Sequence, residues 1–466
     1  MAISSLPDDV LLEIFNVYRM DEVATSSHLP WKWYGLVHVC QSWRSIIFSS
    51  THHLNLELLC THGTPVRKNL GCLPALPIVI HFPGSYRDSD EDNIIAALEH
   101  PDRVRVVELR VPCSLSRKMV TVMQGPFPAL TRLSLEWTKV GPKPVLPDAF
   151  LGGSAPSLQQ IYLNGIYFSA ALIPLLSARD IVDVDLRDIS DTIDVDLRDE
   201  DISDTSYTSP EATVASLAAL SRLKYLTLGF RWADTFFPDR ISQSPTTRTV
   251  LPALTRLCFV GCFGYLELFA AQIDAPQLDC LEIEFLEYWD EEEIADYRIF
   301  QLCKFVDRSE KLKLSSFRRM NLHIQSNTVT IELLHGGQSS FKLSIQDEGI
   351  NQVLIQICGM LSNVDRLFIG SGDTTYFGEL GDDILWLQLL RPFTAVKALT
   401  VQAELSHHVA LALKYVTGEK AAEVLPALES LCLQGWPMVY LEKFLAARRT
   451  VGLPVTLIDK ELELQE

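Results

Sequence analysis

The chain has 466 residues, of which 47% are apolar and 21% are charged, and its formal net charge at pH 7 is −19. This balance is ordinary for a globular protein and unlike that of a mostly disordered chain. The acidic excess argues against nucleic acid as a partner, because phosphate contacts need clustered Lys and Arg. No apolar run reaches the roughly 18–20 residues that cross a bilayer, and no signal peptide is recognisable. We therefore expect no membrane partner and an intracellular protein, cytoplasmic or nuclear.

The ten cysteines are spread along the chain and lack the spacing of a disulfide framework or a zinc site. Cys258, Cys280, Cys358 and Cys432 lie in apolar runs, which is typical of reduced, buried thiols. The sequence also lacks the phosphate-binding loops, the dinucleotide fingerprint, the nucleophile elbow and the zinc-protease motif. We therefore expect no metal, no cofactor and no catalysis.

The first amphipathic segment predicts a helix over Leu6–Tyr18. Pro7 suits a first turn, where its missing N–H costs nothing. Asp8 and Asp9 place negative charge at the positive end of the helix dipole. The apolar residues at helical spacing are Leu11, Ile14, Phe15 and Tyr18.

A second helix is predicted over Leu36–Phe48, with Arg44 pointing away from its apolar face. That face consists of Leu36, Val39, Cys40, Trp43 and Ile47. A module of roughly 45 residues is too small to bury so many large side chains alone. Part of this apolar surface is therefore expected to remain for a partner.

Together the two segments resemble an F-box. The residues that carry the resemblance are Leu6-Pro7, Val10-Leu11 and Ile14-Phe15 in the first half, and Leu36, Val39-Cys40, Trp43-Arg44 and Ile46 in the second. In that family the motif binds the Skp-type adaptor of a cullin–RING ubiquitin ligase, and the rest of the chain binds the substrate. The interval Arg19–Tyr34 is longer than is usual for the family.

The resemblance implies a substrate-recognition subunit of an SCF-type (cullin–RING) E3 ubiquitin ligase. The adaptor-binding residues that it implies are Leu6, Pro7, Leu11, Ile14, Phe15, Leu36, Val39, Cys40 and Trp43. Leu6 and Pro7 are expected to cap the first helix and touch the adaptor, and the other apolar residues are divided between core and interface in a way that the sequence does not reveal. Two alternatives stay open: a leucine-rich scaffold whose N-terminal helices only cap the repeats, and a hydrolase, which would need an enclosed pocket.

A recurrent phrase follows, in which a proline or turn residue precedes apolar-x-x-apolar-x-apolar. Its clearest copies begin at Pro128, Pro156, Pro252, Pro276 and Pro426. Looser copies are led by Val104, Ile181, Leu223, Val364 and Val396. The last two apolar positions alternate as in a strand with one buried face. The predicted helices between copies are Glu211–Leu220, Tyr265–Ile273, Glu291–Val306, Val353–Leu361, Asp382–Leu390, His407–Val416 and Met438–Arg449.

A strand and a helix every 24 to 32 residues or so resemble a leucine-rich repeat, whose neighbours stack to bury a shared core. The predicted fold is α/β: a short N-terminal all-α F-box-like module over 1–52, followed by a curved leucine-rich-repeat-like α/β solenoid over 53–466. Hairpin-like strands are predicted at Met320–Ile324, Val329–Leu334 and Phe341–Ile345, with Gly336-Gly337 as a turn.

Two acidic stretches interrupt the repeats. Asp183–Thr192 is copied almost verbatim at Asp194–Thr205, which predicts an insertion at 183–205, either an extra strand or a protruding acidic loop. Glu287–Glu293 carries Tyr288 and Trp289 and fits either a helix start or a site for a basic peptide. No basic cluster stands out, which disfavours a phosphorylated substrate, and the substrate itself cannot be read from the sequence.

Overall fold

The computed structural model describes residues 6–20, 32–51, 54, 56–82, 84, 88–137, 145–147, 149–168, 179–188, 209–230, 247–286, 300–325, 328–335, 338–346, 357, 361, 363–371, 383–435 and 441–458. The chain divides into two compact units, Met1–Tyr207 (unit 1) and Thr208–Glu466 (unit 2). The predicted boundary at residue 52 stays a prediction.

Unit 1 begins with the helices α1 (Asp8–Met20), α2 (Lys32–Val37) and α3 (Gln41–Ser49). The first predicted helix is confirmed, and the carbonyl of Pro7 accepts its first hydrogen bond from the N–H of Leu11 at 3.1 Å. The single helix predicted over Leu36–Phe48 is wrong, because a turn separates α2 from α3. Cys40 is extended (φ −159°, ψ 170°) and caps α3, its Sγ accepting the N–H of Trp43 at 3.4 Å. A residue that caps the next helix cannot continue the previous one.

The remainder of unit 1 is a strand–helix array. Its elements are β1 (Leu58–Cys60), α4 (Val66–Cys72), β2 (Ile78–Phe82), α5 (Asp88–Leu98), β3 (Val104–Val111), α6 (Cys113–Val122), β4 (Arg132–Trp137), β5 (Val145–Leu146), a 3₁₀ turn (Phe150–Gly153), β6 (Gln160–Asn164), β7 (Tyr167–Phe168) and β8 (Asp183–Asp188). The main strands pair in parallel in the order β1-β2-β3-β4-β6-β8. The short strands β5 and β7 form a separate pair.

Unit 2 repeats this plan. Its elements are α7 (Pro210–Leu217), β9 (Tyr225–Phe230), β10 (Thr249–Val250), β11 (Arg256–Gly261), α8 (Phe263–Gln272), β12 (Ile273–Asp274), β13 (Cys280–Phe285), α9 (Phe300–Arg308), a 3₁₀ turn (Leu314–Ser316), β14 (Arg319–Gln325), β15 (Thr328–His335), β16 (Gln338–Gln346), β17 (Arg366–Ser371), α10 (Asp383–Leu390), β18 (Ala398–Val401), α11 (Ala403–Lys414), a 3₁₀ turn (Gly418–Ala422), β19 (Ser430–Leu433), α12 (Glu442–Thr450) and β20 (Thr456–Leu457).

The main sheet of unit 2 has the order β9-β11-β13-β16-β15-β14-β17-β18-β19-β20. All its neighbours are parallel except β14, β15 and β16, which form an antiparallel meander. The predicted hairpin-like strands are therefore confirmed. The meander reverses the local order, so β16 pairs with β13 and β14 pairs with β17.

The recurrent phrase forms a turn that leads into a strand. In one copy the carbonyl of Phe127 accepts a hydrogen bond from the N–H of Leu130 at 3.3 Å, which places Pro128 second in a four-residue turn. The fixed φ of proline suits that position. Thr131, which follows Leu130, donates its backbone N–H to the carbonyl of Arg105 in the preceding repeat at 2.8 Å. Each predicted copy leads into or begins a strand, so the repeat prediction is confirmed.

The apolar positions of the phrase form the core of each unit. In β4, for example, Leu133 and Leu135 are fully buried, and the leading Leu130 beneath the turn is buried too. The helices pack on the same side, with α8 contributing Phe263 and Phe269. Alternation along the strands and stacking between repeats therefore explain the α/β architecture.

The first copy of the acidic duplication belongs to the array. Asp183–Asp188 is strand β8, which pairs with β6, and its Val184 and Leu186 are buried. Residues 183–188 therefore form a strand of the repeat array, because the buried apolar positions outweigh the neighbouring acids. The predicted insertion at 183–205 stays a prediction. The second copy, Asp194–Thr205, lies outside the described residues, as does Glu287–Glu293.

The predicted helices are confirmed near α7, α8, α10 and α11, with ends shifted by a few residues. Glu291–Val306 and Met438–Arg449 match α9 and α12 only in their C-terminal parts, since their first residues lie outside the described chain. Most of Val353–Leu361 and the Gly336-Gly337 turn also lie outside it. In the part of the chain that the structure describes, no helix has the length and apolar character needed to cross a membrane.

Candidate protein-interaction surfaces

Helix α1 has two apolar faces with different environments. Leu11 and Phe15 are buried, and the ring of Phe15 lies 4.8 Å from that of Trp43 at an angle of 60°. On another face four apolar side chains are substantially exposed: Val10 (40%), Ile14 (46%), Val17 (65%) and Tyr18 (46%). Their spacing of four, three and one residues is that of a single helical stripe. We call these four residues the α1 stripe.

The other helices complete a small core around Leu11 and Phe15. The buried side chains that they contribute are Trp33, Val37, Ile46 and Ile47. Arg44 is exposed, as expected, and its Nε donates to the carbonyl of Val37 at 2.9 Å, which satisfies the end of α2. In the turn between α2 and α3, Val39 is 58% exposed.

The structure thus divides the predicted adaptor-binding residues. Leu11 and Phe15 are buried in the core; Leu6, Leu36 and Trp43 are partly buried; Pro7, Ile14, Val39 and Cys40 are exposed. Val10, Val17 and Tyr18 were not among those residues, although helical periodicity could have found them. Leu11 and Tyr18 are seven residues apart, which allowed them to be assigned to one face, whereas the helix buries Leu11 and exposes Tyr18.

The second surface consists of alternate strand residues whose side chains lie opposite the helices, and we call it the open face. In unit 1 the central row of this face runs in register from β2 to β8 through His81, Glu108, Ser134, Tyr162 and Asp185. All of these side chains are partly exposed. The row is polar throughout, in contrast to the apolar row beneath it.

Charges on the open face of unit 1 are paired across strands. Glu108 contacts His81 (Oε2 to Nδ1, 2.6 Å) and Arg132 (Oε1 to Nη1, 2.9 Å). Burial tends to raise the pKa of Glu108, but the hydrogen bonds from Arg132 and His81 outweigh it and hold the pKa below its ordinary value. The charges in this part of the open face are therefore compensated by one another.

In β8 the charges are instead paired within one strand. Arg187 binds Asp185 in a bidentate manner, at 2.8 and 2.9 Å. Burial raises the pKa of Asp185 above its ordinary value in spite of this contact. Between β3 and β4, Arg110 donates to Glu136 at 2.8 Å.

In unit 2 the open face mixes paired charges with thiols. Arg256 contacts Glu282 at 2.5 Å, and Lys342 lies 3.8 Å from Glu332. Cys258 and Cys280 are partly exposed on this face, so the prediction that both are buried is wrong; Cys432 is buried as predicted. Strand alternation places them there, since each precedes a buried Leu or Phe. Cys358 lies outside the described residues.

One buried carboxylate connects two helices of unit 2. Glu267 of α8 is almost fully buried and accepts the N–H groups of Gln301 (2.8 Å) and Leu302 (2.9 Å) at the start of α9. Burial raises the pKa of Glu267 to about 7, although these two hydrogen bonds oppose the shift. The contact ties α8 to α9 and was not anticipated from the sequence, because it joins residues far apart in the chain.

Within the described ranges, no group of three or more His, Cys, Asp and Glu side chains is placed to hold a metal ion. The buried thiol of Cys303 has its pKa raised to about 12 by burial, which keeps it protonated at neutral pH.

Comparison with known proteins gives a weak structural likeness. No protein-family model matches the chain, and no curated protein matches it. Among solved structures, the leucine-rich repeat-containing protein LegL7 from Legionella pneumophila is similar, with 12% identity over 87% of this chain and 91% of that chain, and a TM-score of 0.27.

Proposed function

We propose that this chain is a non-catalytic substrate-recognition subunit of an SCF-type ubiquitin ligase, intracellular and either cytoplasmic or nuclear. Its N-terminal helices dock onto a Skp-type adaptor, and its open face binds a protein substrate. Such a subunit works by proximity, because holding the substrate near the ligase raises its effective concentration. The F-box-like order of residues over 6–46 motivates the choice of adaptor.

The α1 stripe is the observation that carries the proposal. Four neighbouring apolar side chains on one helix lose hydrophobic stabilisation by facing water, and full burial of each would contribute roughly 1.5–3 kcal/mol. Since these side chains are only partly exposed, a partner would recover a fraction of this from each. Asp8, Asp9 and Glu13 are exposed on the same helix, giving the apolar stripe the polar surroundings typical of a protein interface.

The test is calorimetric titration of the full chain with a purified Skp-type adaptor. We expect a one-to-one complex that Val17→Asp weakens at least tenfold, because the new carboxylate would be buried without a partner. Val250→Asp is the matched control, since Val250 is also exposed (55%) but lies in β10. Failure of the wild-type chain to bind, or equal weakening by both variants, would contradict the proposal.

A second candidate has its own observation. The chain passes from α3 to β1 through backbone hydrogen bonds, Leu54 N–H to the carbonyl of Ser50 (3.0 Å) and Leu56 N–H to that of Thr51 (3.0 Å). Leu54 and Leu56 are buried. This continuity favours a scaffold whose N-terminal helices only cap the repeats, as exposed solenoid ends require.

Limited proteolysis separates the two candidates. Cleavage near residues 49–53 that releases a folded N-terminal piece supports the adaptor module. A junction that resists cleavage, together with loss of the whole chain's stability when Leu54 is replaced by Ala, supports the cap.

A further inference from the structure

Two arginines on the open face of unit 2 lie side by side. Arg319 begins β14 and Arg366 begins β17, and the two are direct register partners on parallel strands. Both side chains are exposed. Since neighbouring strands lie about 4.8 Å apart and alternate residues share one face, the two guanidinium groups extend from one small patch.

In the described part of the chain, no acidic side chain pairs with either arginine. Its row in the sheet continues through Leu334, Ala398 and Ser430, all uncharged. Among the described residues, no carboxylate lies within ion-pair distance of either guanidinium. Glu332 lies in the next row, opposite Asn321, and its oxygens are already 3.8 Å from Lys342 and from His323.

The pair differs from other cations on the two open faces. The cations that are paired with a carboxylate there are Arg110, Arg132, Arg187, Arg256 and Lys342. Like charges placed directly opposite each other destabilise a sheet. The fold itself therefore gains nothing from Arg319 and Arg366 as neighbours, which points to a ligand.

An aromatic surface adjoins the pair. Phe368 follows Arg366 on the same face, and its ring lies 5.7 Å from that of His323. The ring occupies the space above Gly370, where a Cβ atom would come within 2.6 Å of it. The absence of a side chain at Gly370 leaves room for this ring, which lies on the same face of the sheet as the arginines.

We propose that Arg319 and Arg366 bind a dianionic group in an acidic segment of a protein partner, either one phosphorylated side chain or two adjacent carboxylates. Paired guanidinium groups match such oxygens with charge-assisted, bidentate hydrogen bonds. The flat ring of Phe368 supports the residue that follows the anion. The proposal rests on the part of the proposed function that assigns partner binding to the open face.

The sequence shows no basic cluster, and we therefore expected a phosphorylated substrate to be disfavoured; the proposed site would supply such a cluster. The two arginines are distant in sequence, and only the reversed order of the β14–β16 meander makes β14 the neighbour of β17. In an otherwise acidic chain, the pair is a local positive patch that selects where an acidic segment can approach.

The test uses the full chain on arrays of random-sequence peptides that differ only at the centre: phosphoserine, Glu-Glu, serine or Lys-Lys. We expect at least tenfold greater retention of phosphoserine or Glu-Glu peptides than of serine peptides at low salt, decreasing as salt is added. Arg319→Gln/Arg366→Gln should abolish this preference. Arg256→Gln, which removes a paired arginine from the same face, should keep it.

Stability measurements accompany the array. Thermal unfolding of the double glutamine variant should occur at the wild-type temperature or above it, because two like charges are removed from neighbouring strands. If that variant unfolds early, Arg319→Lys/Arg366→Lys keeps the charge but loses the bidentate geometry, and it should bind phosphoserine peptides less tightly than the wild type does.

Each outcome of the peptide array either supports or overturns the proposed arginine site. Preference for phosphoserine alone identifies phosphoryl recognition, and preference for both acidic centres identifies a carboxylate-tolerant site. No acidic preference, or one that survives in the double glutamine variant, overturns the site. Acidic-peptide binding by a chain that ignores the Skp-type adaptor would overturn the ligase function and leave this site standing, whereas the reverse result would overturn this site alone.

Discussion

Helix α1 and strand β4 both carry regularly spaced apolar residues, but the two elements bury these residues to different extents. In β4, Leu133 and Leu135 are fully buried, and their register partners on both sides are apolar residues of β3 and β6. In α1, Leu11 and Phe15 are buried while the α1 stripe faces solvent. Stacked repeats supply one another's cores, whereas a small helical module has no further repeat to cover its second apolar face.

The largest expected effect lies on the repeat side of this comparison. Leu135→Ala should lower the free energy of unfolding by about 2–5 kcal/mol, because it leaves a cavity between Leu109 and Leu163. Val17→Ala in the α1 stripe should change it by no more than about 0.5 kcal/mol. Urea denaturation followed by circular dichroism measures both. Equal losses in the two variants would show that the α1 stripe is buried within the chain.

A smaller effect concerns Glu267 and pH. The pKa of this carboxyl is raised from 4.5 to about 7, so the folded state holds the proton more tightly than the unfolded state does. The contribution of Glu267 to the free energy of unfolding therefore decreases by roughly 3 kcal/mol at most as the pH rises from about 4.5 to 7. Above pH 7 this contribution stays constant. Urea denaturation at pH 5 and pH 8 should show this loss in the wild type and a reduced loss in Glu267→Gln. An identical pH difference in both proteins would contradict the assignment.

An effect smaller than those of Leu135→Ala and of Glu267 ionisation is expected on the open face of unit 1. Arg132 is exposed and pairs with Glu108, and exposed ion pairs contribute about 0–1 kcal/mol. Arg132→Ala should therefore change the free energy of unfolding by no more than that, and less at high salt. A loss of unfolding free energy as large as that of Leu135→Ala would mean that the polar row, and not the core, stabilises the repeats.

The repeats could be predicted because their signal is local. The leading leucine, the turn proline and the alternation in copies such as Pro128–Leu135 lie within eight or so residues, and the same short-range physics builds each turn and strand. The break at Cys40 was missed because apolar spacing continues across it, and a cysteine is an unusual cap. The contact of Glu267 with α9 and the register pairing of Arg319 with Arg366 depend on which strands and helices become neighbours, and no local pattern encodes that.

Hydrogen–deuterium exchange of the full chain, with and without a purified Skp-type adaptor, tests the central claim most directly. The proposed function predicts slower exchange on adaptor binding in α1 and in the turn around Val39, and unchanged exchange in β1–β4 and in unit 2. Unchanged exchange throughout the chain, or slowing only in the repeats, would contradict the claim that the exposed apolar face of α1 is the adaptor surface.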